Sequence, residues 1–306
     1  MKLLFLGAGG VGGYFGARLL EAGADVTFLL RPARKAQISV EGLQVESPYG
    51  NFRVAPRCVV RDEIQPEYDL VILTSKAYDL GDAIDTIAPA MGEAGHVLPL
   101  LNGLAHMDRL DERFGRARVI GGVAHIAGEL SKNGVVRQLN RIHSLTAGGR
   151  DQPTRAFAER FVRLCGPARF DCRLADDIES TLWEKWAFLA TLAGITTLMR
   201  ASVGAIVATT DGEGLTRRLY AECLATAAAH GKGVAEAGQQ KALAMLTEPG
   251  SAFAASMLRD LQAGHRTEHD HVLGDLVRRA GNAGVDAPLL RAAFAQMQVR
   301  ERERAH

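Results

Sequence analysis

Through its first half the chain alternates short apolar runs with glycine-marked turns. "KLLFLG" reads as a buried strand, a glycine-rich turn and the helical segment "GYFGARLLEAGA" follow, and "DVTFLLR" is a second strand. "YDLVILTSK", "GHVLPLLNG" and "ARVIGGVAHIAGEL" continue the series. Near-continuous apolar strands separated by helices predict a parallel sheet covered on both faces. Two stretches depart from that pattern. "GLQVESPYGNFRVAPRCVV" alternates polar and apolar positions around "SPYGN", which predicts an inserted hairpin. "GELSKNGVVRQLNRIHSLTAG" alternates around Lys-Asn-Gly, a hairpin turn signal.

From about residue 152 the pattern changes. Ala, Leu, Arg and Glu dominate and helical periodicity takes over, with helices expected from Asp176 to Glu303 and breaks near "TEPG" (247–250) and "DAP" (286–288). No internal repeat is visible, and the terminal "RERERAH" reads as a solvated helix end. Within the helical half, Trp186 to Met199 is a run of fourteen residues without a charge, entered from Lys185 in "LWEKWAFLATLAGITTLM". A helix that is apolar all round is normally buried. A lysine at its edge is costly unless something uses it, and on its own it would snorkel to water.

Composition narrows the class. The 306 residues suit two domains, and a hydrophobic fraction of 47% with 23% charged residues is ordinary for a globular protein. Lys plus Arg number 36 against 35 Asp plus Glu, a net charge of +1, so neither a nucleic-acid surface nor an acidic-membrane partner is expected. Cys58, Cys165, Cys172 and Cys223 are far apart, with no metal-ligand spacing, and read as reduced, packed thiols of a cytoplasmic protein. The apolar run in "MKLLFLGAGG" is too short for a signal peptide, and no segment reaches the length of a membrane span.

Gly7, Gly9 and Gly12 spell G-x-G-x-x-G directly after the first strand and at the opening of a helix. Gly7 suits the tight turn, Gly9 lets a pyrophosphate approach the backbone, and Gly12 permits close helix–strand contact. With Gly10 and Val11 between them, these residues are the expected cofactor cradle, the phosphates resting on the helix N-terminus. Where an NAD enzyme places an acid at the end of the second strand, this chain has Arg31, with Arg34 and Lys35 behind it. A cation there accommodates a 2′-phosphate, so NADP(H) is expected. The fold class that follows is an α/β N-terminal Rossmann-type dinucleotide-binding domain (residues 1–172), then an all-α C-terminal substrate and catalytic domain (173–306).

Lys76 closes "LVILTSK" and Asn102 with Gly103 closes "VLPLLNG", both at carboxyl ends of strands, on the edge expected to hold the glycine loop. Adding Lys185, Ser256 and Glu268, the chain resembles the 2-dehydropantoate 2-reductase (ketopantoate reductase) family over essentially its whole length. The resemblance is carried by "GAGGVGG", "SKAYDL", "LLNGL", "LWEKW" and "SMLRDLQAGHRTEHDHVLG". It implies NADPH-dependent reduction of a 2-oxo acid to the 2-hydroxy acid, ketopantoate to pantoate on the route to pantothenate and coenzyme A. It also implies Lys185 as general acid, Glu268 hydrogen-bonding the substrate and aligning Lys185, and Ser256 near the substrate carboxylate. Asn102 and Lys76 would line the junction of cofactor and substrate. Hydride addition builds negative charge on oxygen, which a positioned cationic donor both stabilises and protonates.

The chain departs from the family where asparagines commonly stand four and eight residues after the lysine. Here those positions are Leu189 and Ala193, on one stripe with Lys185. The implied pocket wall is apolar, which points to a less polar 2-oxo acid as the alternative substrate. A non-catalytic NADP(H)-binding sensor is the alternative outside enzymes, disfavoured by the retained Lys185, Ser256 and Glu268. His265, His269 and His271 share no helical face well and are read as surface or pocket-rim residues, with no metal expected; Trp183 and Trp186 are read as interdomain packing. The apolar helical half is compatible with a homodimer.

Overall fold

A computed structural model describes residues 1–305. The chain divides into two compact units, Met1–Leu101 with His106–Ile178, and Asn102–Ala105 with the residues from Glu179 onward.

The first unit is built on ten strands: β1 (Lys2–Leu6), β2 (Asp25–Leu29), β3 (Leu43–Glu46), β4 (Phe52–Val54), β5 (Arg57–Val59), β6 (Leu70–Leu73), β7 (His96–Pro99), β8 (Gly121–Leu130), β9 (Val136–Gly148) and β10 (Asp171–Leu174). One sheet has the order β5-β2-β1-β6-β7 and is parallel throughout. β6 is buried from end to end and β1 and β2 are largely buried behind an exposed first residue, as a sheet covered on both faces requires. Phe5, Phe15 and Phe28 anchor the core between this sheet and the helix Gly12–Glu21.

A second sheet has the order β10-β9-β3-β4, with β8 paired antiparallel to β9. The β3–β4 and β8–β9 hairpins lie where the alternating stretches predict them. The stretch "ARVIGGVAHIAGEL" does not continue the parallel sheet as expected. Only Val119 bridges Val97 of β7, and from Gly121 the chain enters the second sheet. The reason is local: the Asn-Gly turn returns the chain as β9, which at 13 residues offers β8 a partner over its whole length. The helix Gln152–Cys165 begins where the composition changes, ahead of the helices expected from Asp176, and it and β10 both belong to this unit.

The second unit is helical. Its longest element for the site is the helix Ile178–Met199, 22 residues, buried on all sides along its C-terminal half. It ends at Arg200, which adopts the left-handed conformation (φ 52) while Ala201 N–H returns to the Thr196 carbonyl at 3.2 Å. Helices Val203–Val207, Gly212–Ala229, Glu236–Leu246, Ser256–Gln262, Asp275–Asn282 and Pro288–Ala305 follow. The breaks at 247–250 and 286–288 fall as predicted; those after Met199, Val207, Ala229 and Gln262 are additional. Glu222 accepts from the backbone N–H groups of Leu289 and Leu290 at 3.1 and 2.8 Å, which seats the N-terminus of the last helix. Among the described residues, no helix is long and apolar enough to cross a membrane.

All four cysteines are free thiols. Cys165 and Cys223 are buried, but Cys58 and Cys172 are only partly so, because both lie on short outer strands of their sheets.

Candidate active site

In the first unit, β1 ends in the glycine loop. Gly7 has φ +92, a conformation that side chains disfavour, and its N–H bonds the Leu29 carbonyl at 3.0 Å. A Cβ on Gly12 would collide with Thr74 Oγ1 and the Gly7 carbonyl, so the helix can start this close to β1 and β6 only with glycine there. Gly10 lies against the backbone of Gly128 on β8. Gly9 differs: a Cβ added there meets nothing within 4 Å. The loop therefore presents open backbone at Gly9, and no side chain caps the helix Gly12–Glu21 or places an acid in its first turn. That is a ready cradle for a pyrophosphate, and the residues fit a dinucleotide.

Around the cradle, Arg31 caps the helix Pro32–Glu41 in extended conformation, with its side chain 84% exposed and 3.6 Å from Asp79. Thr74 Oγ1 donates to the Leu6 carbonyl at 2.8 Å, while the buried Ser75 hydroxyl beside it has no partner. Lys76 follows as the exposed cap of the turn Ala77–Asp79.

The second unit carries Lys185, which the family resemblance implies as the general acid. Lys185 lies well inside the helix Ile178–Met199, not at its start, because helical structure begins two turns before the apolar run. Burial pulls its ammonium down to about 8, opposed by the nearby Glu268 carboxylate. Desolvation is thus the stronger of the two opposing influences. Glu268 precedes a single π-helical turn, Asp270–Gly274, that runs into the helix Asp275–Asn282. Such turns accommodate one extra residue in a helix and are frequent at functional sites.

Trp186, 1% exposed, donates from its indole Nε1 to the Val272 carbonyl inside that turn at 2.9 Å. Trp183 lies 5.1 Å from Trp186 and from His230 by ring centroids, and the Arg279 guanidinium lies over both indoles. These tryptophan contacts lie inside the second unit, where the indoles join the lysine-bearing helix to the segment that carries Glu268.

Gly103 belongs to the same unit, with φ +81. A Cβ there would lie 2.8 Å from both Cδ2 and the carbonyl oxygen of His271. The Asn102–Gly103 turn is thus seated directly on His271, whose ring burial holds below the usual imidazole range despite Glu268, Asp275 and Asp270 nearby. The other two histidines stand apart: His265 is exposed, and His269 bonds Thr267 at 3.0 Å. His271 is the residue that sequence reasoning undervalued, since nothing in the spacing of three histidines singles out the one beneath a glycine turn.

Ser256 opens the seven-residue helix Ser256–Gln262 and is exposed. Among the described residues, neither the Asn102 amide nor the Ser256 hydroxyl makes a side-chain hydrogen bond, so both are available to a ligand. Leu189 is partly buried and Ala193 buried. The neighbouring threonines do not replace the amides, because Thr191, Thr196 and Thr197 donate to the carbonyls of Ala187, Leu192 and Ala193 at 2.8, 2.6 and 2.6 Å.

Comparison with known proteins agrees with this arrangement. Residues 3–152 match the family model "Ketopantoate reductase PanE/ApbA" and residues 177–301 match its C-terminal counterpart. The chain belongs to the ketopantoate reductase family. It is similar to the uncharacterized oxidoreductase YkpB of Bacillus subtilis, at 34% identity over 99% of this chain and 100% of that one. It is 29% identical to the 2-dehydropantoate 2-reductase of Mesorhizobium japonicum, over 94% of this chain and 93% of that one. The crystal structure of a PanE/ApbA family ketopantoate reductase from Ralstonia eutropha superposes with a TM-score of 0.90 at 25% identity, each chain covered in full. This member of the family is accordingly an oxidoreductase acting on CH–OH groups, with a nicotinamide dinucleotide as cofactor and a small oxo acid as substrate.

Proposed function

We propose that the protein reduces the ketone of a 2-oxo acid to the 2-hydroxy acid with NADPH, with ketopantoate as the substrate. In this reading the dinucleotide lies on Gly7, Gly9, Gly10, Val11 and Gly12, with Arg31 and Lys76 beside it, and supplies the hydride when bound. Lys185 protonates the nascent alkoxide, Glu268 aligns Lys185 and accepts from the substrate, and Asn102 and Ser256 bind the substrate. The observation that carries the reading is Lys185 itself. A lysine drawn to about 8 by burial sits near the working pH, where a general acid is most effective. Its neighbour Glu268 keeps part of the population charged.

A second reading concerns the substrate. The hydroxymethyl group of ketopantoate, placed against Leu189 and Ala193 with every nearby threonine hydroxyl already used, would lose a hydrogen bond at a cost of roughly 1–3 kcal/mol. That favours a 2-oxo acid with an apolar side chain. The proposed setting is the cytoplasm, where free thiols persist, and the proposed assembly a homodimer.

The test is NADPH oxidation, followed by absorbance, with ketopantoate against a panel of apolar 2-oxo acids and with Lys185→Ala alongside. Ketopantoate turnover that collapses in the variant supports the first reading; preference for an apolar acid supports the second. NADPH binding without turnover of any 2-oxo acid would overturn both and leave a cofactor sensor.

A further inference from the structure

His271 lies on the π-helical turn Asp270–Gly274, three residues after Glu268. The Val272 N–H bonds the Glu268 carbonyl at 2.9 Å, so one helical turn spans the pair and puts their side chains on a shared face. The ring edge of His271 bears on the Asn102–Gly103 turn: a Cβ on Gly103 would lie 2.8 Å from Cδ2 and 3.3 Å from Nε2. Gly103 has φ +81, so the backbone comes this close to the ring only with glycine there. His271 thus touches the turn on one side and stands within electrostatic reach of Glu268 on the other.

The charges around the ring are not equivalent. Asp270 accepts from Arg278 at 2.9 Å and Asp275 accepts from Arg279 at 3.0 Å, so each already has an arginine as counter-charge. Arg278 itself opposes charge on the ring. The last helix meets the turn through Phe294 at Gly274, and its Glu301 acts on His269. Glu268 differs from the two aspartates, because the cation it supports is Lys185, on which burial works in the opposite direction. One carboxylate therefore serves two nitrogen bases, Lys185 and His271, and burial holds the second of them neutral at neutral pH.

We propose that His271 is a positioning residue for the reduction: neutral, its ring seats the Asn102–Gly103 turn and leaves Glu268 to Lys185, and protonated, it competes with Lys185 for Glu268. This rests on the roles given to Lys185, Glu268 and Asn102 under the proposed function. The competing explanation is that His271 only fills space beneath a glycine turn. A space-filling ring affects stability and KM but gives the rate no titration of its own. An imidazolium beside Glu268 does, because it draws off the carboxylate that aligns the acid.

The experiment joins pH–rate profiles of the full chain, with NADPH and the best 2-oxo acid, to titration of the imidazoles by 1H–15N spectroscopy in the ligand-free protein. In the wild type, kcat should fall below about pH 6.5, the ordinary imidazole value, approaching tenfold per pH unit where the charged ring dominates. His271→Gln, which reaches toward the turn but cannot titrate, should lose that acid limb. His271→Ala, which removes the seat, should raise KM for the oxo acid about tenfold. The His271 ring should titrate at higher pH in Lys185→Met, where Lys185 no longer shares Glu268, and at lower pH in Glu268→Gln. If the wild type reduces no 2-oxo acid, the functional reading fails and takes this inference with it. If the wild type turns over and the acid limb is absent, or persists in His271→Gln, the functional reading stands and the inference is wrong. A His271 titration that ignores both Lys185→Met and Glu268→Gln would also overturn it, and leave the ring as packing.

Discussion

The indole Nε1 of Trp186 donates to the carbonyl of Val272 at 2.9 Å, joining the helix that carries Lys185 to the π-turn that follows Glu268. Trp186 is the residue next to the acid in sequence, and Val272 is four residues beyond the carboxylate. The bond therefore ties the segment that carries Lys185 to the segment that carries Glu268.

Trp186→Phe tests that role. The ring still fills the core, but a buried carbonyl loses its donor, which costs about 1–3 kcal/mol. The expected result is a lowered Tm together with a fall in kcat larger than any change in the Kd of NADPH. Unchanged kcat would mean that the π-turn keeps Glu268 in place without the indole.

Lys185 links activity to stability through pH. Its folded value of about 8 lies below its unfolded value of 10.5, so the unfolded chain binds more protons between those limits and stability rises with pH across them. Below about pH 8 the buried charge costs on the order of 3 kcal/mol. Lys185→Met should raise Tm below pH 8, the gain shrinking toward pH 10.5, while reduction is abolished. In the wild-type protein, the rate of reduction should fall as pH rises through about 8, because the acid loses its proton. Denaturant titrations and a pH–rate profile read both effects.

Gly103→Ala would introduce a Cβ 2.8 Å from the His271 ring in a backbone with φ +81. The turn must shift or His271 must move, and Asn102 moves with it. KM for the oxo acid should rise about tenfold or more, comparable to other misplacements of a positioning residue. The Kd of NADPH, measured by fluorescence, should stay within about twofold, since the glycine loop is untouched.

Gly9→Ala separates the cradle from the fold. Its Cβ meets nothing within 4 Å, so the ligand-free protein should keep its Tm or gain slightly through reduced unfolded-chain entropy. NADPH binding should collapse, because the methyl group occupies the open backbone. Retained affinity would place the pyrophosphate elsewhere.

Leu189→Asn combined with Ala193→Asn restores the amides common in the family. If the apolar wall sets specificity, the ratio of kcat/KM for ketopantoate to that for an apolar 2-oxo acid should rise about 5- to 150-fold, equivalent to roughly 1–3 kcal/mol. An unchanged ratio would show that the wall does not contact the substrate side chain.

The parts of this protein that follow from local chemistry were legible in the sequence. G-x-G-x-x-G needs specific φ values and close approach within a few residues, so Gly7, Gly9 and Gly12 announced their turn and helix. The apolar strands announced a doubly covered parallel sheet, and Lys-Asn-Gly announced a hairpin. "ARVIGGVAHIAGEL" misled because an apolar run suits either sheet equally well, and only the pairing partner decides.

What depends on residues distant in the chain was decided by the tertiary structure. Arg31 and Arg34 look equivalent as a sequence, yet one lies 84% exposed beside Asp79 and the other lies enclosed by Ala8 and Gly134. His271 meets the Asn102–Gly103 turn only through the fold, and the balance at Lys185 is set by burial against one carboxylate. Residue type determines which charges and backbone shapes the chain can offer. Their environment, which sets desolvation and pairing, exists only once segments far apart in sequence have packed together.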